Sequence, residues 1–130
     1  MNIFENCKNS KVQGTIGLGI AIQSLLKRGY VVSLPLNDSQ EYDIIFDDCG
    51  KLNRVSVKTT SYQLKSGCYN FNLSTKGGNQ SCNIIKKFDN SKCDYMFVVT
   101  GDETKYLIPS SDIKGQHCMT LHTPWNKYKI

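Results

Sequence analysis

The sequence predicts an α/β domain in which helices flank a mixed central β-sheet. Three observations support this prediction. One helical stripe of apolar residues precedes every strand-like segment; short alternating or β-branched runs follow, bounded by Gly, Pro and Asn; and two pairs of these runs lie close enough to form hairpins. The chain has 130 residues, which is enough for one hydrophobic core. We therefore expect a single domain over residues 1–130.

The first element is predicted to be a helix over residues 14–28, because apolar residues recur there at helical spacing and Gly29 follows as a stop signal. Glycines inside this stretch lower its helix propensity by about 1 kcal/mol each relative to Ala, so we expect another element to pack close to its backbone. A phosphate-binding glycine loop is the alternative. The alternative is weak because no strand precedes these glycines and no Lys-Ser/Thr pair follows them. The glycines are Gly14, Gly17 and Gly19.

The remaining elements are short. Alternation and turn residues predict a strand closed by Pro35, a hairpin, an isolated strand, a polar loop, a short helix or strand, a second hairpin and a final strand. In chain order these are residues 30–34, 42–47 with 54–59, 68–73, 74–83, 84–88, 94–100 with 105–109, and 119–122.

The first hairpin carries the candidate functional residues. Symmetric pairing about a loop at residues 48–53 predicts three cross-strand pairs, which are Asp43 with Lys58, Ile45 with Ser56, and Asp47 with Arg54. Side chains alternate along a strand, so Asp43, Ser56 and Lys58 project from one face together with Asp47.

A carboxylate, a hydroxyl and an ammonium on one sheet face fit metal-assisted cleavage of a phosphodiester bond. The carboxylate binds a hard divalent cation, and the lysine orients or deprotonates the attacking water. The alternative is a cross-strand salt bridge between Asp43 and Lys58 on a solvated face, worth about 0–1 kcal/mol.

The net charge of +5 is unevenly distributed. Residues 61–93 hold five basic and one acidic residue, a local sum of +4, whereas residues 1–60 sum to +1 and residues 94–130 to zero. A polyanionic partner fits this excess, and a solvated surface is the alternative. The basic residues are Lys65, Lys76, Lys86, Lys87 and Lys92.

Other composition features point to the cytoplasm. No run approaches the roughly 20 apolar residues of a membrane span, the N-terminus does not read as a signal peptide, and the six cysteines are widely and irregularly spaced. We expect these cysteines to be reduced. A zinc site is the weaker alternative because no Cys-x-x-Cys motif occurs, and its candidate ligands are Cys82, Cys93, His117, Cys118 and His122.

Taken together, the motifs resemble the PD-(D/E)XK nuclease superfamily, which has the restriction-endonuclease-like fold, and within it the small group I intron homing endonucleases most. The resemblance covers residues 9–121. It rests on the order and spacing of Gly14 and Gly17 in the first helix, the segment Leu-Lys-Arg-Gly-Tyr-Val-Val-Ser-Leu-Pro, the segment Tyr-Asp-Ile-Ile, the segment Val-Ser-Val-Lys-Thr, and the second hairpin.

The resemblance implies roles for the hairpin residues. Asp43 becomes the metal-binding acid, Lys58 the residue that activates the water, and Ser56 a weak supporting residue, with Mg²⁺ or Mn²⁺ as the cofactor. Two positions depart from the family pattern: Ser56 stands where Glu, Asp or Gln is usual, and Leu18 stands where the first helix usually presents Glu. Asp47 and Glu41 are possible replacement ligands.

The implied substrate is double-stranded or branched DNA. Candidate nucleic-acid contacts are Lys11, Thr59, Thr60, Lys65 and Lys76. Because a small nuclease must bring two sites to one duplex to cut both strands, a homodimer or homotetramer is expected. Two alternatives stay open, a DNA-binding module of the same fold that has lost catalysis and a Holliday-junction resolvase.

Overall fold

The structure is a computed structural model that describes residues 1–77, 84–115 and 117–130. Within these ranges, one α-helix, α1 (Ser10–Lys27), precedes nine strands and two 3₁₀ helices, Ser110–Asp112 and Thr123–Tyr128. The strands are β1 (Val31–Ser33), β2 (Ile44–Asp48), β3 (Lys51–Thr60), β4 (Tyr69–Asn72), β5 (Thr75–Gly77), β6 (Ile84–Lys86), β7 (Tyr95–Thr100), β8 (Lys105–Pro109) and β9 (Cys118–Leu121). None of the helices in the described ranges is long and apolar enough to cross a membrane.

The predicted α/β fold with a mixed central sheet is confirmed. Five strands form the sheet in the order β1-β2-β3-β7-β8, with β3 and β7 parallel and every other neighbouring pair antiparallel. Helix α1 covers one face and buries a cluster that includes Leu25, Phe46 and Phe97. The other face is covered by the two-stranded β4–β9 ribbon, which buries Met96 and Ile108. A β-ribbon therefore takes the place of helices on that second face.

Helix α1 begins four residues before the predicted start. Asn9 caps it, since its side-chain oxygen accepts a hydrogen bond of 3.0 Å from the Val12 main-chain nitrogen. The helix ends at Lys27, one residue before the predicted end, and Gly29 follows as the predicted stop with a φ of +87°, which suits glycine. Because residues 14–19 lie inside α1, they do not form a phosphate-binding loop.

The register of the first hairpin differs from the prediction by two residues. The turn contains only Cys49 and Gly50, both with positive φ, at 52° and 95°. A two-residue turn of this kind matches the twist of the flanking strands, so it is preferred over a six-residue loop. The observed pairs are Ile44 with Val55, Ile45 with Arg54, and Asp47 with Leu52.

The predicted pairings of Asp43 with Lys58, of Ile45 with Ser56 and of Asp47 with Arg54 are therefore wrong. A shift of two residues keeps every side chain on its predicted face, because side chains alternate with a period of two. The prediction about faces is thus unaffected by the error in register.

The later elements follow the prediction with one main difference, which lies in the predicted polar loop. The second hairpin is formed by β7 and β8, and the final strand is β9. Residues 84–86 adopt the strand rather than the helix alternative. Residues 75–77 of the predicted polar loop form β5, which pairs with β6, and residues 78–83 lie outside the described part of the chain.

Gly17 marks the close approach that the glycine-containing helix predicts. A Cβ added there would lie 2.2 Å from Cγ2 of Thr59 on β3, which is far inside van der Waals contact. At Gly14 and Gly19, an added Cβ would meet nothing within 4 Å among the described residues. Gly17 alone of these three is therefore required for packing of α1 on the sheet.

We predict that Gly17→Ala lowers the free energy of unfolding by about 1–3 kcal/mol, because Thr59 or the helix must shift to accommodate the methyl group. Gly19→Ala is the matched control on the same helix, and it should raise stability by up to about 1 kcal/mol through helix propensity. Urea denaturation of both variants measures the difference. Equal effects of the two substitutions would contradict the close approach.

Candidate active site

The site lies where β3 extends beyond its partner β2. In the described part of the chain, β2 pairs with β3 over Lys51 to Val55, whereas β3 continues to Thr60 and keeps its parallel pairing with β7. The edge of β3 that faces β2 is therefore left without a strand partner after Val55. Main-chain groups along such an edge need other hydrogen-bond partners.

Asp43 provides one of these partners. Its main-chain nitrogen donates to the Val55 carbonyl at 2.8 Å, and its carboxylate Oδ2 accepts from the Val57 nitrogen at 2.7 Å. The carboxylate is thereby fixed beside β3, although the residue lies one position before β2 begins and is solvent-exposed.

Ser56 and Lys58 project from β3 on the face opposite α1. Ser56 is 7% exposed, and Lys58 is half-buried. Burial lowers the pKa of the Lys58 ammonium below its ordinary value of 10.5, and the negative charge of Asp43 opposes this shift. A larger fraction of Lys58 is therefore neutral at a given pH than for a lysine in water.

Asp43, Ser56 and Lys58 line one cleft of about 300 Å³. Besides β3 and Leu73, two segments line this cleft. The loop that leads into β2 supplies Glu41, and the segment that leads into β7 supplies three lysines and Cys93. Since β2 and β7 lie on opposite sides of β3 in the sheet, these two segments flank the hairpin residues. The lysines are Lys86, Lys87 and Lys92.

Cys93 is buried beneath this cleft. Burial raises the pKa of its thiol, and the positive charges of Arg54 and Lys58 only partly oppose this effect. The thiol therefore stays protonated at neutral pH and packs as a small apolar group.

Thr59 and Thr60, the two threonines predicted to contact nucleic acid, form hydrogen bonds within the protein. The Thr59 hydroxyl accepts a hydrogen bond of 3.0 Å from Nε2 of Gln13 in α1, and its methyl group faces Gly17. Thr60 is 5% exposed, and its hydroxyl donates to the Asn70 carbonyl at 2.6 Å. Both side chains hold α1 or β4 against the sheet.

The three lysines predicted to contact nucleic acid lie in different parts of the fold. Lys11 is exposed in the first turn of α1, and Lys65 is exposed in the loop between β3 and β4. Neither residue lines the cleft of Asp43 and Lys58. Lys76 lies in β5, and its side chain is outside the described part of the structure.

Sequence reasoning missed an ion pair that fixes the strand next to the site. Arg54 Nε lies 3.2 Å from Oδ2 of Asp94, whose carboxylate also accepts from the Arg54 main-chain nitrogen at 2.8 Å. Burial alone would raise the pKa of Asp94, but these hydrogen bonds outweigh it and the pKa is lowered. Asp47, the predicted partner of Arg54, instead accepts from the Gly50 nitrogen in the hairpin turn at 2.7 Å.

The positions considered as further metal ligands differ in whether they reach the cleft. Leu18 is half-buried and packs against the core, so its position in α1 supplies no oxygen ligand. Asp47 is engaged in the turn and does not line the cleft. Glu41, named from the sequence as a possible replacement ligand, lines the cleft with Asp43 because the loop before β2 carries it there. The folded loop therefore supplies a second carboxylate to the cleft.

The described residues fit a metal site with few protein ligands. They contain no group of three or more His, Cys, Asp or Glu side chains close enough to bind one ion, and Cys82 of the hypothetical zinc site lies outside them. Mg²⁺ is commonly bound by one or two carboxylates together with waters and substrate phosphate oxygens. The exposed carboxylates of Asp43 and Glu41 in one cleft meet that requirement.

Comparison with known proteins agrees with this geometry. The model of the PD-(D/E)XK endonuclease family matches residues 8–127. Among solved structures, the bacterial homing endonuclease I-Ssp6803I is similar, with a TM-score of 0.78, 25% sequence identity, and coverage of 93% of this chain and 88% of that chain. MepB covers 83% of this chain and 81% of its own at 13% identity, and its TM-score of 0.45 is too low to carry an argument. No curated protein sequence matches the chain.

We predict that Lys58 titrates below the ordinary lysine pKa of 10.5 and that Asp43→Asn lowers its pKa further, because the substitution removes a carboxylate that stabilises the ammonium. NMR titration of ¹³C-labelled lysine side chains measures both values, with Lys58→Ala to assign the signal. Asp47→Asn is the matched control, since this carboxylate lies in the turn. A pKa of Lys58 that rises in Asp43→Asn would contradict the attraction between the two residues.

Proposed function

Since the chain belongs to the PD-(D/E)XK endonuclease family, we propose that it hydrolyses phosphodiester bonds of DNA and requires a divalent metal ion, Mg²⁺ or Mn²⁺. The observation that carries this proposal is the convergence of Asp43, Ser56 and Lys58 on one open cleft. The similarity to a bacterial homing endonuclease supports DNA as the substrate.

In this proposal, Asp43 holds the ion and Glu41 is the second candidate carboxylate. When bound, the ion polarises the scissile phosphate and acidifies a water molecule. The hydrogen bond from the Val57 nitrogen holds one carboxylate oxygen of Asp43 beside β3, and the exposed residue lines the cleft. Ser56 has a supporting role in the floor of the cleft, where its hydroxyl can orient a water molecule.

Lys58 is proposed to orient the attacking water and accept its proton. Its lowered pKa increases the neutral fraction that can act as a base, and its position beside Asp43 keeps it within the same cleft. After proton transfer, the ammonium form stabilises the additional negative charge on the phosphate. Burial of the side chain thus lowers the pKa of Lys58, and attraction by Asp43 raises it.

A second candidate function is favoured by the two departures from the family pattern. Leu18 is packed in the core and Ser56 presents a hydroxyl instead of a carboxyl or amide group. A protein that binds DNA without cleaving it therefore remains the alternative. A preference for four-way junctions is a further possibility raised by the sequence, and competition between junction and linear duplex measures it.

We predict that the wild-type protein nicks supercoiled DNA with Mg²⁺ or Mn²⁺, and that Lys58→Ala slows nicking by about 10²–10⁴-fold because the general base is lost. Asp43→Asn should slow it at least as much. Asp47→Asn removes a carboxylate of β2 that lies outside the cleft, so this control should nick at close to the wild-type rate. DNA binding by the wild type with no nicking under either metal would establish the non-cleaving alternative.

Binding of Mn²⁺, followed by electron paramagnetic resonance, separates the roles in the same set of variants. Asp43→Asn should weaken Mn²⁺ binding strongly, Glu41→Gln should weaken it partly, and Lys58→Ala should preserve it. If Asp43→Asn and Asp47→Asn bound Mn²⁺ equally well, Asp43 would not be the metal ligand.

We also propose that the protein acts as a homodimer or homotetramer in the cytoplasm, since double-strand cleavage requires two sites on one duplex. Analytical ultracentrifugation with and without duplex DNA checks the assembly. We expect a mass of two or four chains at least in the DNA complex. A single chain per complex under both conditions would remove this part of the proposal.

A further inference from the structure

Three exposed lysines that play no part in the proposed chemistry line the same cleft. Lys86 ends β6, while Lys87 and Lys92 lie in the connection to β7. We call residues 86–92 the lysine segment. With Asp89 as its one acidic residue, the segment has a formal charge of +2, from three lysines and one aspartate. On the β2 side of the cleft, Glu41 and Asp43 are acidic. The cleft is therefore basic on one side and acidic on the other.

The lysine segment is anchored to the domain in its middle. Phe88 packs against the core cluster on the β4–β9 side of the sheet. The carboxylate of Asp89 accepts from the Ser91 nitrogen at 2.9 Å and from the Ser91 hydroxyl at 2.6 Å, and Asn90 Nδ2 donates to the Ile113 carbonyl at 3.1 Å. The hydrogen bonds with Ser91 lower the pKa of Asp89. The ionised carboxylate of Asp89 thus stabilises a turn within the lysine segment.

The C-terminal end of the segment is fixed to β3. Nη2 of Arg54 donates to the Ser91 carbonyl at 3.2 Å, and Arg54 also pairs with Asp94. Because Arg54 lies two residues before Ser56, this contact ties the lysine segment to the strand that carries the proposed catalytic residues. A backbone that is already ordered loses less conformational entropy when its side chains bind a ligand.

We propose that Lys86, Lys87 and Lys92 bind successive phosphates of the DNA backbone and position the scissile phosphate over Asp43 and Lys58. The inference rests on the proposed function and adds the path of the substrate across the site. Ammonium groups attract phosphates, so the three lysines draw the flanking backbone along the β7 side of the cleft. Lys11 and Lys65 lie outside the cleft and carry no part of this path.

The salt dependence of DNA binding tests the proposal. Each phosphate neutralised by a lysine contributes about −0.9 to the slope of log K against log salt for duplex DNA. The triple variant Lys86→Gln, Lys87→Gln, Lys92→Gln should make the slope less negative by about 2–3. Binding of a short duplex is followed by fluorescence anisotropy with Mg²⁺ in a Lys58→Ala background, so that the DNA is not cleaved during the titration.

The matched control removes the same charge elsewhere on the surface. Lys8, Lys27 and Lys51 are exposed and do not line the cleft. Their triple substitution by Gln should leave the slope within about 0.5 of the parent value. Circular dichroism melting checks that both triple variants are folded. If the cleft variant is not folded, the single variants Lys87→Gln and Lys92→Gln replace it, each with an expected slope change of about 0.9.

The difference in slope between the cleft variant and its control decides the proposal. A slope change in the cleft variant that exceeds that of its control by about 1 or more supports the proposal, and a smaller difference overturns it. For the single variants, the corresponding threshold is about 0.5. If the wild type nicks DNA and the two triple variants bind alike, this inference fails while the proposed function stands. If the wild type does not nick DNA and the Lys58→Ala parent does not bind it, both fail together.

Discussion

The hydrogen bond between the Val57 nitrogen and the Asp43 carboxylate is the interaction on which the candidate site depends. It forms because β3 is longer than β2, so that, among the residues the structure describes, a main-chain donor on β3 has no strand carbonyl opposite it. A carboxylate that satisfies this donor is held next to the side chains of Ser56 and Lys58. The same edge that needs a hydrogen-bond partner therefore supplies the acidic group of the cleft. Backbone pairing and site geometry have one cause.

The position of Lys58 follows from the two neighbours of β3. Parallel pairing with β7 keeps the strand extended to Thr60, and α1 packs against the other face through the Gly17–Thr59 contact. The ammonium group of Lys58 is thereby held half-buried, which disfavours its charge, while Asp43 favours it. These opposing effects leave a lysine that is a stronger candidate for proton transfer than one in water.

The cleft combines groups from parts of the chain that are far apart in sequence. Glu41 and Asp43 precede β2, whereas the lysine segment precedes β7. The hydrogen bonds of Arg54 join the lysine segment to β3, because Arg54 binds Asp94, just before β7, and the Ser91 carbonyl within the lysine segment. On the acidic side, the Val57 nitrogen of β3 holds Asp43. A side suited to a cation and a side suited to a polyanion are thus both fixed to the central strand.

The sequence by itself determined the features that depend on local periodicity. Alternation placed Asp43, Ser56 and Lys58 on one face, and Gly29 marked the end of α1. The predicted six-residue loop misses the two-residue turn Cys49-Gly50. The predicted strand register is therefore wrong by two residues, although each side chain is assigned to the correct face of the sheet. Asn9 was also a recognisable cap that could have given the start of the helix.

Tertiary structure alone decided which residues share the cleft. The loop position of Glu41, the pairing of Arg54 with Asp94, and the grouping of Lys86, Lys87 and Lys92 beside β3 all depend on the order of strands in the sheet. Strand order arises from packing between segments distant in the chain, and local side-chain patterns carry no information about it. The fold also directs Thr59 and Thr60 to partners within the protein. Their hydroxyls form hydrogen bonds with Gln13 and Asn70, which only the folded chain brings near them.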